Sequence, residues 1–131
     1  MLSLWYAGGT AAQYPRMLSY FNESIGVKNG WKALNDSNLD WGQNAKEFRD
    51  YLSVHDIQTP NCTYFWSHEQ LRYYGIDCRF IWSQDDFEAL PEGSLYFIDA
   101  MDLKSPEWKW ARELPLADMV GDTIFVFQKD R

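Results

Sequence analysis

Apolar positions recur along this chain with two different periods, and the change falls near its middle. In "QYPRMLSYFNESIG", Tyr14, Met17, Leu18, Phe21 and Ile25 fall on one face of a helix that Pro15 would open. Gly26, Asn29 and Gly30 then interrupt it, and Trp31, Ala33 and Leu34 lead into the polar stretch "NDSNLDWGQNAKEF". From Trp41 the stripe Trp41, Ala45, Phe48, Leu52 predicts an amphipathic helix reaching about His55.

After "DIQTPN" the pattern shifts to short β-rich runs at 62–66, 78–82, 94–100 and 122–128. "SHEQLRYYGI" lies between the first two and is able to form a helix, so a βαβ crossover is the natural connection. The runs are almost continuously apolar, as strands covered on both faces are. "SPEWKWAREL" reads as a short helix with Ser105 as cap and Pro106 at its first position. The expectation is one α/β domain over residues 1–131, with a mainly helical half (1–58) and a strand-rich half (59–131). Its sheet has about four strands, mostly parallel or mixed, and is flanked by helices.

Composition narrows the function classes. The chain is 46% hydrophobic and 18% aromatic with seven tryptophans, which is ample core material. A net charge of -7, with no basic stripe, argues against nucleic acid and against an anionic membrane surface. No apolar run approaches the roughly 18–20 residues needed to span a bilayer, so this piece is expected to be soluble. Cys62 and Cys78 fit neither a zinc pattern nor a CxxC pair. They read first as two small hydrophobes in neighbouring buried strands; the alternative is a disulfide, which requires an oxidising compartment.

The polar stretch at 35–48 admits several chemistries. Asp36, Asn38, Asp40 and Glu47 occupy positions 1, 3, 5 and 12 of a calcium-loop spacing, a weak case for a divalent cation. Trp41 stands where that loop needs glycine, and Gly42 falls one place late. A structural account is simpler: Ser37 with Asp40 forms a capping box, and the acids suit a helix N-terminus. It leaves Asn35, Trp41, Gly42 and Gln43 unexplained. In a first helical turn Gly42 costs about 1 kcal/mol against alanine, which suggests close approach of a backbone or ligand.

"YPRMLSYFNESIG", "GWKALNDSNLDWGQNAKEFRDYL", "YYGI" and "PLADMVGDTIFVF", in that order, resemble the C-terminal extracytoplasmic region of bacterial and archaeal GT-C type membrane glycosyltransferases of the dolichyl-phosphate-mannose protein mannosyltransferase-like superfamily. The specific part is "FNE", with Phe21 and Asn22, followed by "DSNLDWGQ". The chain departs from that pattern at Ile25-Gly26, where a Gly-Gly pair is expected, at Asn44-Ala45, where Asp-Leu is usual, and at Asp99, where serine is common.

The resemblance implies transfer of sugar from a polyprenyl-phosphate carrier on the outer side of the membrane. It also implies that the catalytic carboxylates lie in a transmembrane part, so no catalytic residue carries over to this chain. The implied role is accessory: a cap that packs on the transmembrane part of the same polypeptide and helps recognise a glycan acceptor or the polyprenyl-phosphate sugar. In that role Asn35, Asp36, Asn38, Asp40 and Gln43 would bond sugar hydroxyls, and Trp41 would offer a stacking face.

Two other classes compete. One is a self-contained carbohydrate or small-ligand binding module. The other is a small metal-dependent hydrolase using Asp36, Asp40 and the acidic run Asp85, Asp86 and Glu88, which otherwise reads as a solvated loop. His55 and His68 are expected at a helix end and in a loop. The runs "YFW", "YY" and "WKW" are expected in core or interface, with a sugar platform as the sharper alternative.

Overall fold

A computed structural model describes residues 2–14, 24–25, 29–34, 41–63 and 68–130. Helices α1 (Leu2–Gln13), α2 (Gly30–Ala33) and α3 (Ala45–Val54) precede strand β1 (Asn61–Cys62). Then follow α4 (His68–Tyr73), β2 (Arg79–Phe80), α5 (Gln84–Glu88), β3 (Leu95–Asp99) and α6 (Ala100–Lys104). A 3-10 helix (Pro106–Glu113), β4 (Leu116–Val120) and β5 (Ile124–Gln128) complete the chain. Residues 15–23 of the helix expected over 14–25 lie outside the described residues.

The fold is α/β, and its mixed sheet has five strands in the order β2-β1-β3-β5-β4. β1 pairs in parallel with β2 and β3, whereas β3–β5 and β5–β4 are antiparallel. The strand missing from the sequence expectation is β4. It is an edge strand whose Leu116, Ala117 and Asp118 are exposed, and its register shifts between Leu116 and Asp118. Its sequence therefore lacks the buried apolar run that marks β3 and β5.

Both faces of the sheet are covered, as the apolar runs require. Alternation along the central strands sends Tyr96, Ile98, Phe125 and Phe127 to one face and Phe97, Ile124 and Val126 to the other. On the first face they meet Phe87 of α5, Leu103 of α6 and Trp108 of the 3-10 helix. On the second they meet Phe48 and Leu52 of α3 and Leu71 of α4. Phe97 packs edge-on to Phe48 at 5.0 Å and to Tyr51 at 6.0 Å. Such fully buried side chains each contribute about 1.5–3 kcal/mol.

Crossover geometry explains why α4 and α5 cover different faces. The chain steps outward from β1 to β2, then back across β1 to β3, and a right-handed connection must use opposite faces for opposite directions. The chain thus diverges between β1 and β3, the kind of switch point at which α/β sheets commonly place ligands.

Three expectations need correction. The amphipathic helix begins at Ala45, not Trp41, because Gly42 adopts φ +87, a left-handed conformation that a helix does not contain. Ala45, Phe48 and Leu52 keep the expected stripe, but Trp41 stands outside it, 68% exposed. Asp85, Asp86 and Glu88 lie on α5 rather than in a loop: the Ser83 hydroxyl accepts the Asp86 N–H at 3.2 Å and caps the helix. Cys62 and Cys78 are joined as a disulfide across a Cα separation of 5.9 Å, not two separate thiols. The parallel register that sets Cys62 beside Phe80 brings Cys78 within bridging distance. Ser105 and Pro106 do open a helix, of 3-10 type, with a kink at Trp108.

Candidate functional site at the carboxyl edge of the sheet

Thr63 follows β1 directly and is fully buried. Its backbone N–H donates to the Phe97 carbonyl at 3.0 Å, so the chain keeps to β3 for one residue beyond the strand. The Thr63 hydroxyl accepts the Asp99 N–H at 3.3 Å and donates to the Asp102 carboxylate. Asp99 ends β3, and its carboxylate caps α6 by accepting the Met101 N–H at 2.7 Å. One threonine therefore ties the ends of β1, β3 and α6 together.

Burial pushes the Asp102 carboxyl above the usual carboxylate value, and the Thr63 hydrogen bond offsets only part of that. Oδ2 of Asp102 has no hydrogen-bond partner among the described residues. The Tyr96 phenol beneath it is fully buried and held protonated, by burial first and then by the charges of Asp102 and Asp86.

An acid whose folded pKa is raised binds its proton more tightly in the native state. Its contribution to stability is then full below the unfolded value and falls as pH rises through the raised one. Asp102→Asn is expected to raise Tm relative to the parent chain at pH 7. That gap should close on acidification below about pH 4. Thermal melts across pH check this, and a gap independent of pH would contradict the burial argument.

The polar seam continues to β5. Asn44, 1% exposed, donates from Nδ2 to Thr123 Oγ1 at 2.7 Å, and the Thr123 carbonyl accepts the Ala100 N–H at 2.7 Å. Asn44 thus fixes the start of α3 to the β4–β5 turn. Gly121 in that turn has φ +60, and a Cβ there would stand 2.7 Å from Cγ and Oδ1 of Asn44. Gly42 makes a similar approach to α4: a Cβ there would lie 3.3 Å from Gln70 Nε2. The close contact suggested by its sequence position is therefore with another helix of the fold.

Beside Gly121, between α3 and β4, lies an open groove of about 360 Å³, lined by Glu47, Asp50, Tyr51, His55 and Met119 among others. Tyr51 and His55 rings stand 4.2 Å apart at 32°. The Tyr51 phenol is held protonated by burial and by its hydrogen bond to Asp118, so it acts as a donor. Carboxylates that accept, a phenol oxygen that can still accept while its proton goes to Asp118, and a paired aromatic face are groups that bind hydroxyl-rich ligands. The volume falls in the lower part of the usual small-ligand range of about 300–1,000 Å³.

Of the residues singled out from sequence, Asn35, Asp36, Ser37, Asn38, Asp40, Phe21 and Asn22 lie outside the described residues. Trp41, Gly42 and Gln43 lead directly into Asn44 at this edge, with the Trp41 N–H donating to Gln43 Oε1 at 2.7 Å. Asp86 accepts the Trp82 N–H at 3.0 Å, and Asp85 and Glu88 are exposed on α5. His55 is exposed at the end of α3, while the His68 side chain lies outside the description. Among the described residues, no three His, Cys, Asp or Glu side chains group as metal ligands do.

Sequence reasoning did not find Asn44, Tyr51, Thr63, Asp102, Asp118 or Thr123. One signal was present: Asp99 closes the apolar run "SLYFID", and a polar residue at the carboxyl end of a buried strand is where α/β sheets place ligands. No helix among the described residues is long and apolar enough to cross a membrane. Comparison with known protein families, with curated proteins and with solved structures finds no match to the chain.

Proposed function

We propose that this chain is the extracytoplasmic C-terminal part of a membrane glycosyltransferase that uses a polyprenyl-phosphate sugar. Its role is accessory, with catalysis residing in a transmembrane part of the same polypeptide. The groove beside Gly121 takes a sugar of the acceptor or the donor: Glu47 and Asp50 accept from its hydroxyls and the Tyr51 phenol lies within its lining.

One observation carries the reading. The family-like stretch "DSNLDWGQ" ends at Gln43, and the residue after it, Asn44, where the chain departs from that pattern, is locked into the carboxyl edge of the sheet next to a groove lined by carboxylates and a paired aromatic face. The Cys62–Cys78 disulfide supports an extracytoplasmic setting, because such bonds persist in oxidising compartments.

The test is an antibody raised against this chain, used on fractionated native cells. A band much larger than 15.5 kDa in the membrane fraction is the expected result. A soluble band near 15.5 kDa overturns the proposal. The exposed Trp41 indole, a face on which a sugar ring stacks, favours a self-contained carbohydrate-binding module as the second reading. Calorimetric affinity of the isolated chain for free monosaccharides would favour that module over a cap that works only when docked.

A further inference from the structure

The two sulfurs of the Cys62–Cys78 disulfide stand in different surroundings. Cys62 is fully buried in the core beneath Leu71 of α4. Cys78 is only partly buried and forms part of the wall of a separate cavity of about 240 Å³. The other described walls are Leu71 and Arg72 of α4, Ile76 and Asp77 after it, and Phe80 of β2. Cys62 is not among them, so the cavity lies on the Cys78 side of the bond.

Thiol–disulfide exchange proceeds by attack of a thiolate on one sulfur, in line with the S–S bond and from the side away from the sulfur that leaves. The cavity offers that approach to Cys78, while the core closes it to Cys62. Burial makes the Cys62 sulfur costly to release as a thiolate, so access rather than leaving ability decides which sulfur is attacked. Once protonated, the released sulfur has an acceptor at hand: Cys62 Sγ stands 3.6 Å from the Pro60 carbonyl oxygen.

Two exposed charges in the lining select the entrant. The Arg72 guanidinium suits a carboxylate, and the Asp77 carboxylate accepts from an ammonium. A neutral thiol uses neither, and a thiol with one charge uses one while facing a like charge in the other. The volume lies below the range of about 300–1,000 Å³ usual for small-ligand sites, which suits a molecule of single-amino-acid size.

We propose that Cys78 is an exchange site for a small zwitterionic thiol of the free-cysteine type. The entering thiolate bonds to Cys78 Sγ as the Cys62–Cys78 bond breaks. The electron pair of that bond leaves on the Cys62 sulfur, which takes up a proton equivalent to the one the entering thiol gave up. One disulfide replaces another, so the thiol is the only co-reactant. In the product β2 is held to β1 by main-chain hydrogen bonds without the crosslink, among them Arg79 N–H to the Pro60 carbonyl at 2.8 Å and Ile81 N–H to the Cys62 carbonyl at 2.9 Å. Exchange therefore loosens one edge of the sheet. The inference is independent of the glycosyltransferase reading.

The purified 131-residue chain, incubated with cysteine, cysteamine, 3-mercaptopropionate or 2-mercaptoethanol at equal thiolate concentration, quenched in acid and mapped by mass spectrometry, tests this. The mixed disulfide is expected on Cys78, with Cys62 as the free thiol. Cysteine should react about threefold or more faster than each of the other thiols once their differing basicity is allowed for. Arg72→Gln should bring cysteine down to the rate of cysteamine, and Asp77→Asn should bring it to that of 3-mercaptopropionate. Both side chains are exposed, so Tm should not change. An adduct on Cys62, equal rates for all the thiols, or folded variants that react as the parent chain does would each overturn the proposal. So would exchange that occurs only in step with the denaturant-unfolded fraction, or no exchange at all.

Discussion

Gly121→Ala is expected to lower stability by about 2–4 kcal/mol, the sum of left-handed strain and an overpacked contact. For a chain of this size that corresponds to a fall in Tm of about 10 °C. Two causes act at one atom. At φ +60 any Cβ crowds its own backbone, and this Cβ would also lie 2.7 Å from the Asn44 carboxamide. Asn44 has no inexpensive way to yield: it is 1% exposed and its Nδ2 is committed to Thr123. Gly93→Ala separates the two causes, because Gly93 has φ +77 with nothing within 4 Å of the added carbon, and should lose only about 1–2 kcal/mol. Chemical denaturation of both variants decides the matter. Equal losses would mean that Asn44 moves aside freely, and that the seam joining α3 to the β4–β5 turn is not rigid.

Breaking the Cys62–Cys78 bond is expected to have the next largest effect. The cysteines are 16 residues apart in sequence, and a loop of that size corresponds to about 3 kcal/mol in the chain-entropy account. The closed loop contains α4 and fastens β1 to the start of β2, an edge strand of only two residues whose own pairing is slight. Denaturation midpoints with and without reductant should therefore differ clearly, and Cys78→Ala should behave like the reduced chain. Cys78 is the better choice because it is only partly buried. Truncating the fully buried Cys62 would add a cavity cost to the lost crosslink. An unchanged midpoint in reductant would show that the two sulfurs are not bonded in solution.

The two results bear on how much of this protein can be read from its sequence. Elements whose side chains face the core at a regular period were legible. Ala45, Phe48 and Leu52 announced α3, and the apolar runs announced β3 and β5, because burial and sequence pattern are there the same fact. Elements governed by backbone conformation or by an edge position were not. The start of α3 depends on the φ of Gly42, which sequence does not reveal. β4 keeps its first three side chains in solvent. α6 follows β3 without a break, since Asp99 is both the last strand residue and the helix cap.

The candidate site was less legible than the fold. Asn44 meets Thr123 across 79 residues, and Thr63 meets Asp99 across 36. Neither pairing has a local signature, because each depends on which strand ends the topology brings together. Asn44 itself stood in plain view inside the polar stretch, yet reads there as one amide among several. What distinguishes it is complete burial, which depends on the turn after β4.

The rims of the sheet have a further consequence. At one side β2 offers two residues, and at the other β4 carries a shift in register between Leu116 and Asp118 with an exposed carboxylate at the break. A second polypeptide seeking to extend the sheet by main-chain pairing would find too few amides at the first rim. At the second it would meet a misaligned row with a charge at its break. A protein whose central strands are as apolar as "LYFI" and "IFVF" could otherwise act as a template for fibrous stacking. Its blunt rims keep those strands out of reach and leave association with other molecules to side-chain surfaces.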